Sequence, residues 1–154
     1  PNTTLETLIP DFQGNRRNLD RIIEVAPEVV SHNVETVRSL TRKVRVQAKY
    51  DTSLDVLNYL KRQGVNRTKS GIMLGLGENE KEVLETLKDL REVKVDVVTI
   101  GQYLQPSKKH LPVQSFITPE QFKKYEEFAL SLGFRHVESG PLVRSSYKAH
   151  KHVA

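Results

Sequence analysis

No cysteine occurs among the 154 residues. That excludes a disulfide scaffold, and it excludes any metal or iron-sulfur centre ligated by thiolates of this chain alone. Long apolar runs are also missing. A stretch such as Val95 to Ile100, itself broken by Asp96, falls far short of the roughly 20 residues needed to span a bilayer. No basic-then-apolar leader opens the sequence, so the expectation is a soluble, cytoplasmic protein without a membrane partner. Neither sign of charge dominates: 24 Lys and Arg face 19 Asp and Glu, a net charge of +5, with the basic residues scattered along the chain. Such a balance describes a solvated surface rather than a nucleic-acid groove, and no nucleic-acid partner is expected. Low-complexity tracts and linkers are absent too, and 37% apolar residues suffice for the core of one ordinary domain.

What is present is an alternation of short β-like runs with amphipathic helices. Asn15 is placed to cap a first helix in which Leu19, Ile22, Ile23 and Ala26 repeat at helical spacing before Pro27. A second helix follows Asp51-Thr52-Ser53, with Leu54, Leu57 and Leu60 on one face and Gly64 as its stop. In a third, Asn79 and Glu82 have capping-box spacing ahead of Val83, Leu84, Leu87 and Leu90. Thr118-Pro119-Glu120-Gln121 joins a cap, a proline at the first helical position and a capping-box partner, leading into Phe122, Tyr125, Phe128 and Ala129. A shorter helix is expected from Glu35 to Leu40. Strands are expected at Glu6 to Ile9, Val29 to Asn33, Lys69 to Leu74, Asp96 to Gln102 and His136 to Ser139. Helices between successive strands require parallel crossovers, so the class is α/β with a parallel sheet. An α/β unit that begins almost at once with a strand suggests a fragment whose first half is absent.

In parallel α/β folds, functional groups gather where strands end. Asp11 and Gln13, then His32, Asn33 and Glu35, then Gly75, Gly77 and Glu78, then Gln102, Tyr103 and Gln105 all occupy such positions and should share one rim. Each segment has a bland alternative. The glycines of Gly71 to Glu78 have neither dinucleotide-fingerprint spacing nor a P-loop lysine, but they let backbone approach a ligand closely. His32-Asn33-Val34-Glu35-Thr36 puts amide and carboxylate oxygens side by side, able to hold ribose hydroxyls or an amino group, or simply to cap a short helix. His32 reads as a hydrogen-bonded wall residue. Gln102, Tyr103 and Gln105 can pack against an adenine or form a satisfied turn before Pro106. By chemistry alone, Arg144-Ser145-Ser146-Tyr147 is a turn or a cap, and the His150-Lys151-His152 end, able to bind a metal adventitiously, reads first as a frayed tail.

Taken together, Ser70-Gly71-Ile72-Met73-Leu74-Gly75-Leu76-Gly77-Glu78, Gly101-Gln102-Tyr103-Leu104-Gln105-Pro106-Ser107 and Gly140-Pro141-Leu142-Val143-Arg144-Ser145-Ser146-Tyr147-Lys148-Ala149 resemble the lipoyl synthases. These are radical SAM enzymes, and the likeness extends from about Leu5 to Ala149. It implies a (β/α) partial TIM barrel, with residues 1–154 its C-terminal portion, residues 140–149 carrying the Arg-Ser-Ser-Tyr motif, and the cysteine-bearing N-terminal part absent. The implied parent activity is insertion of two sulfur atoms into a protein-bound octanoyl chain. Its implied cofactors are S-adenosyl-L-methionine and two 4Fe-4S clusters. Asn33, Glu35, Gly75, Glu78, Gln102 and Tyr103 are the implied cofactor-binding residues, and Ser146 the implied metal ligand, with Ser145 as the alternative. Arg144 would anchor its strand. The implied partners are an octanoylated lipoyl carrier protein or domain, which Lys108-Lys109-His110 would meet, an electron donor protein, and the missing N-terminal half. Without cluster cysteines this chain alone is expected to be inactive. Two other classes stay open: a nucleotide- or SAM-binding module without redox chemistry, and a structural half-barrel whose edge pairs with another half.

Overall fold

The computed structural model describes residues 3–153. Five strands, β1 (Glu6–Leu8), β2 (Val29–Ser31), β3 (Arg67–Leu74), β4 (Val97–Gln102) and β5 (His136–Gly140), form one sheet in chain order. Every adjacent pair is parallel, and the longest ladder runs from Lys69 opposite Val97 to Leu74 opposite Gln102. Helices fill the crossovers: α1 (Arg16–Glu24), a single turn α2 (Thr41–Val44), α3 (Tyr50–Arg62), α4 (Glu80–Glu92) and α5 (Pro119–Ser131). This is the expected α/β arrangement with a parallel sheet.

Period-two alternation along the strands gives the sheet two faces of different character. Ile72, Leu74, Val98 and Ile100 belong to a buried cluster with Leu57, Val83, Leu87, Leu90, Phe122 and Ala129 of α3, α4 and α5. A smaller cluster joins Ile9, Val30, Leu19, Val56 and Leu60 beneath α1 and α3. The intervening residues, Lys69, Gly71 and Met73 on β3 and Thr99 and Gly101 on β4, face the other way. Across that face runs the segment after β5. The Val143 carbonyl lies against Gly101 so closely that a Cβ there would sit 2.3 Å from it.

Local signals governed most helix starts. Asn79 and Glu82 complete a reciprocal capping box, the Thr118 side chain accepts from the Gln121 amide with Pro119 at the first helical position, and Asn15 accepts from the Asn18 amide. Two expectations are corrected. The helix from Glu35 to Leu40 does not form. Instead Glu35 donates its N–H to the Gly71 carbonyl at 3.0 Å and accepts from the Met73 N–H at 2.9 Å, prolonging β-type pairing onto β3, and helical turns begin only at Arg38. The second helix starts at Tyr50, ahead of Asp51-Thr52-Ser53, because Tyr50 is buried in the larger cluster and the Ser53 hydroxyl is taken by His32 and Arg45.

Candidate functional site at the strand ends

A cavity of about 470 Å³ opens at the C-terminal ends of the strands. Asn33, Glu35, Gly71, Thr99, Gln102 and Arg144 are among its lining residues. Gly71 is where the backbone must be bare: a Cβ there would come within 2.6 Å of Thr99 Oγ1 and 3.1 Å of Asn33 Oδ1. Asn33 Oδ1 is buried without a hydrogen-bond partner. Beside it, burial pushes the Glu35 carboxyl above the usual carboxylate range, against the opposing pull of the Asn33 side chain and the Arg45 charge. Glu35 holds a left-handed conformation, φ 65°, which costs a non-glycine residue of order 1 kcal/mol. The β-type bonds on either side of it maintain that turn. The result is a pair of side-chain oxygens in a partly enclosed hollow, an acceptor set suited to a ligand bearing hydroxyl or ammonium donors.

The other residues expected from sequence lie around this hollow in different roles. Gln102 lines it, but its amide is engaged: the two Nε2 hydrogens are shared among the carbonyls of Leu74, Tyr103 and Ser115, all at 3.0–3.1 Å, and Oε1 accepts from the Ile117 N–H. It pins the loop after β4 to the end of β3. Glu78 turns back on its own loop, accepting from the Gly75 N–H at 2.6 Å and the Leu76 N–H at 3.0 Å. Gly75, at φ +102°, abuts Gln102 and the Ser115 carbonyl. Tyr103 is buried and donates its hydroxyl to the Leu111 carbonyl. Gly75, Glu78 and Tyr103 thus stand on the same rim, next to the cavity and outside its lining. Ser145 is in the lining, whereas Ser146 is exposed.

His32 is the wall residue anticipated, with Nδ1 against the Ile9 carbonyl at 3.0 Å and Nε2 against Ser53 Oγ at 2.8 Å. Burial holds its pKa below the ordinary histidine value. Two groups escaped sequence reading. Arg45, which donates to the Val34 carbonyl and Ser53 Oγ, lines a second hollow of about 260 Å³ that shares Asn33 and Glu35 with the first. His152 belongs to no frayed tail: it is 0% exposed and lies beside Lys69. Among the described residues no group of three or more His, Asp or Glu is placed to hold a metal ion.

A parallel sheet with an acceptor-lined hollow at its strand ends has its counterpart among known families. The chain belongs to the radical SAM superfamily, whose family model matches residues 1–90. Over 153 residues it is 78% identical to a lipoyl synthase of Christiangramia forsetii and 76% identical to one of Flavobacterium johnsoniae, matches that cover 99% of this chain and 52% and 53% of those proteins. The chain therefore spans about half the length of these relatives. Among solved structures, a methylornithine synthase superposes with a TM-score of 0.64 at 17% identity, covering 88% of this chain and 47% of that one, a likeness of fold.

The superfamily implies S-adenosylmethionine and an iron-sulfur cluster. The unpartnered Asn33 oxygen, the Glu35 carboxyl and the bare Gly71 backbone fit the first. The second does not fit this chain, which offers no thiolate.

Proposed function

We propose that this chain forms the cofactor-cradling, substrate-facing part of a lipoyl synthase, an enzyme that inserts two sulfur atoms into a protein-bound octanoyl chain. The observation that carries this reading is the 76–78% identity to lipoyl synthases along 99% of the chain, extending over the residues that build the strand-end hollow. Bound there, S-adenosylmethionine supplies the radical chemistry, and clusters held by cysteines outside this chain supply electrons and sulfur.

The chain's own residues bind and orient. Asn33 and Glu35 accept hydrogen bonds from amino or hydroxyl groups of the cofactor. Gly71 lets it approach β3, and Gly75, Glu78, Gln102 and Tyr103 hold the rim loops rigid around it. The Ser146 hydroxyl is exposed and makes no hydrogen bond among the described residues, so it is available as the oxygen ligand of a cluster anchored elsewhere. Lys108 and Lys109, exposed beside the rim, face an acidic carrier protein or domain bearing the octanoyl group. Alone, the chain is catalytically inert.

The test uses the full-length protein, loaded anaerobically with iron and sulfide and given an octanoylated carrier peptide, S-adenosylmethionine and a reductant. Mass spectrometry should detect replacement of two C–H hydrogens by sulfur. Cleavage of S-adenosylmethionine with no sulfur insertion would refute the assignment. Tight S-adenosylmethionine binding by iron-free protein that never gains either activity would instead support a binding module.

A further inference from the structure

The residues after β5 are held at two places and nowhere firmly between. Val143 is buried, its carbonyl against Gly101. From there the chain proceeds through single turns closed by local bonds: Tyr147 N–H to the Arg144 carbonyl, Ala149 N–H to that of Ser146, Lys151 N–H to that of Lys148. Residues 146–148 are exposed, and the one ion pair from this stretch among the described residues, Lys148 Nζ to Glu138 at 3.5 Å, involves a lysine side chain that is 40% exposed, where solvent screening leaves such a pair weak.

The second anchor is His152, deep on the sheet's helix-free face. Its backbone carbonyl accepts from Arg67 Nη1 at 2.9 Å, and its ring Nδ1 lies 3.1 Å from Lys69 Nζ. Lys69 is itself fully buried and paired with Glu6 Oε1 at 2.6 Å. An ammonium has only donors, so Nδ1 must be an acceptor, and the imidazole is neutral with its proton on Nε2. Around this ring stand Lys69 and Arg67 of β3, Glu6 of β1, His136 of β5 at 5.9 Å between ring centroids, and His150 of its own segment. One carboxylate there faces a preponderance of cationic or ionisable nitrogen groups. Protonating His152 would set a second positive charge against Lys69 and remove its acceptor.

We infer that His152 is a positioning residue: its neutral ring, seated on the Lys69–Glu6 pair, fastens the segment 143–153 across the sheet and thereby fixes where Ser145 and Ser146 stand at the cavity mouth. The fastening itself is independent of the chemistry proposed above, whereas its effect on sulfur insertion rests on that reading. The anchor is therefore tested first without cofactor.

In the full-length, cluster-free protein, His152→Ala should raise the rate of tryptic cleavage after Lys148 and Lys151 by about tenfold or more at neutral pH, the response to freeing one anchor of a locally unstable segment, in a protein that still folds. His152→Asn, whose amide oxygen can take the place of Nδ1, should restore most of the protection. Nitrogen NMR of His152 should show the neutral tautomer protonated at Nε2. Unchanged cleavage in His152→Ala, or a charged imidazole at neutral pH, would overturn the inference. In the loaded enzyme, His152→Ala should lose sulfur insertion while keeping S-adenosylmethionine cleavage, and His152→Asn should recover it. Loss of protection without this split would leave the anchor standing and overturn its positioning of Ser145 and Ser146, whereas the lipoyl synthase reading itself falls only if the loaded native enzyme cleaves S-adenosylmethionine without inserting sulfur.

Discussion

Gly71 and Asn33 come so close at the strand ends that a single methyl group on Gly71 would press on the Asn33 carboxamide oxygen at 3.1 Å and on Thr99 at 2.6 Å. Among the described residues, that oxygen is the one buried side-chain acceptor lining the cavity that has no partner. Gly71→Ala in the full-length protein should weaken S-adenosylmethionine binding by at least about tenfold, which is about 1.4 kcal/mol, and cost about 1–3 kcal/mol of stability through overpacking. Calorimetric titration and urea unfolding measure the two effects. Unaltered affinity in a folded variant would place the cofactor elsewhere.

The Glu78 carboxylate holds two backbone N–H groups of the β3–α4 loop, those of Gly75 and Leu76. Glu78→Ala leaves both without their partner, a cost of about 1–3 kcal/mol. Glu78→Gln, which keeps one acceptor oxygen, should lose less. A direct cofactor contact would show the opposite order of importance, with affinity falling far more than stability in both variants.

Ser145 and Ser146 separate by exposure, the first lining the cavity and the second facing solvent. Ser146→Ala should impair sulfur insertion strongly, leave S-adenosylmethionine cleavage largely intact, and cost at most about 1 kcal/mol of stability. Ser145→Ala should have the milder effect on insertion. If Ser145→Ala abolishes insertion while Ser146→Ala retains it, the ligand roles are exchanged.

His152 is held down to about pH 4 by burial first and by the Lys69 charge second, and His32 is also lowered, chiefly by burial. Both therefore stay neutral in the folded protein at pH values where the unfolded chain, titrating near 6.5, takes up protons. Their contribution to stability is complete above about pH 6.5 and declines below it, that of His152 being lost as pH falls toward 4. Glu35 acts with the opposite sign, its raised pKa letting the folded state gain a proton first. Urea unfolding at a series of pH values should show stability declining through this window. His152→Asn should decline less steeply than the native chain, and identical slopes would contradict the assignment.

Where a feature was encoded within a few residues, it was legible. Asn79 with Glu82, and Thr118 with Pro119, mark helix starts that need nothing from elsewhere in the chain. Glu35 was misplaced in a helix because its conformation is decided by Gly71 and Met73, on a strand that local propensity does not see. The strand-end rim could be read from chain order, since polar residues follow each strand in a parallel fold. The different fates of its members could not. Gln102 and Glu78 turned inward to satisfy backbone groups, whereas Asn33 was left with a bare acceptor, and only the packing of neighbouring loops distinguishes them. His152 lies 83 residues from Lys69 in sequence, and a histidine near a basic terminus carries no local sign of burial.

The spatial order of the strands repeats their order along the chain, and this has a kinetic consequence. Each new strand and its helix can be added to an edge already formed, so every closure joins strands consecutive in the chain and none has to span a second strand, and the entropic cost grows only slowly with loop length. The unit β3–α4–β4, with the longest ladder and a helix whose capping box forms locally, is the natural nucleus of such a process. Folding would then spread outward from the middle of the sheet to both flanks.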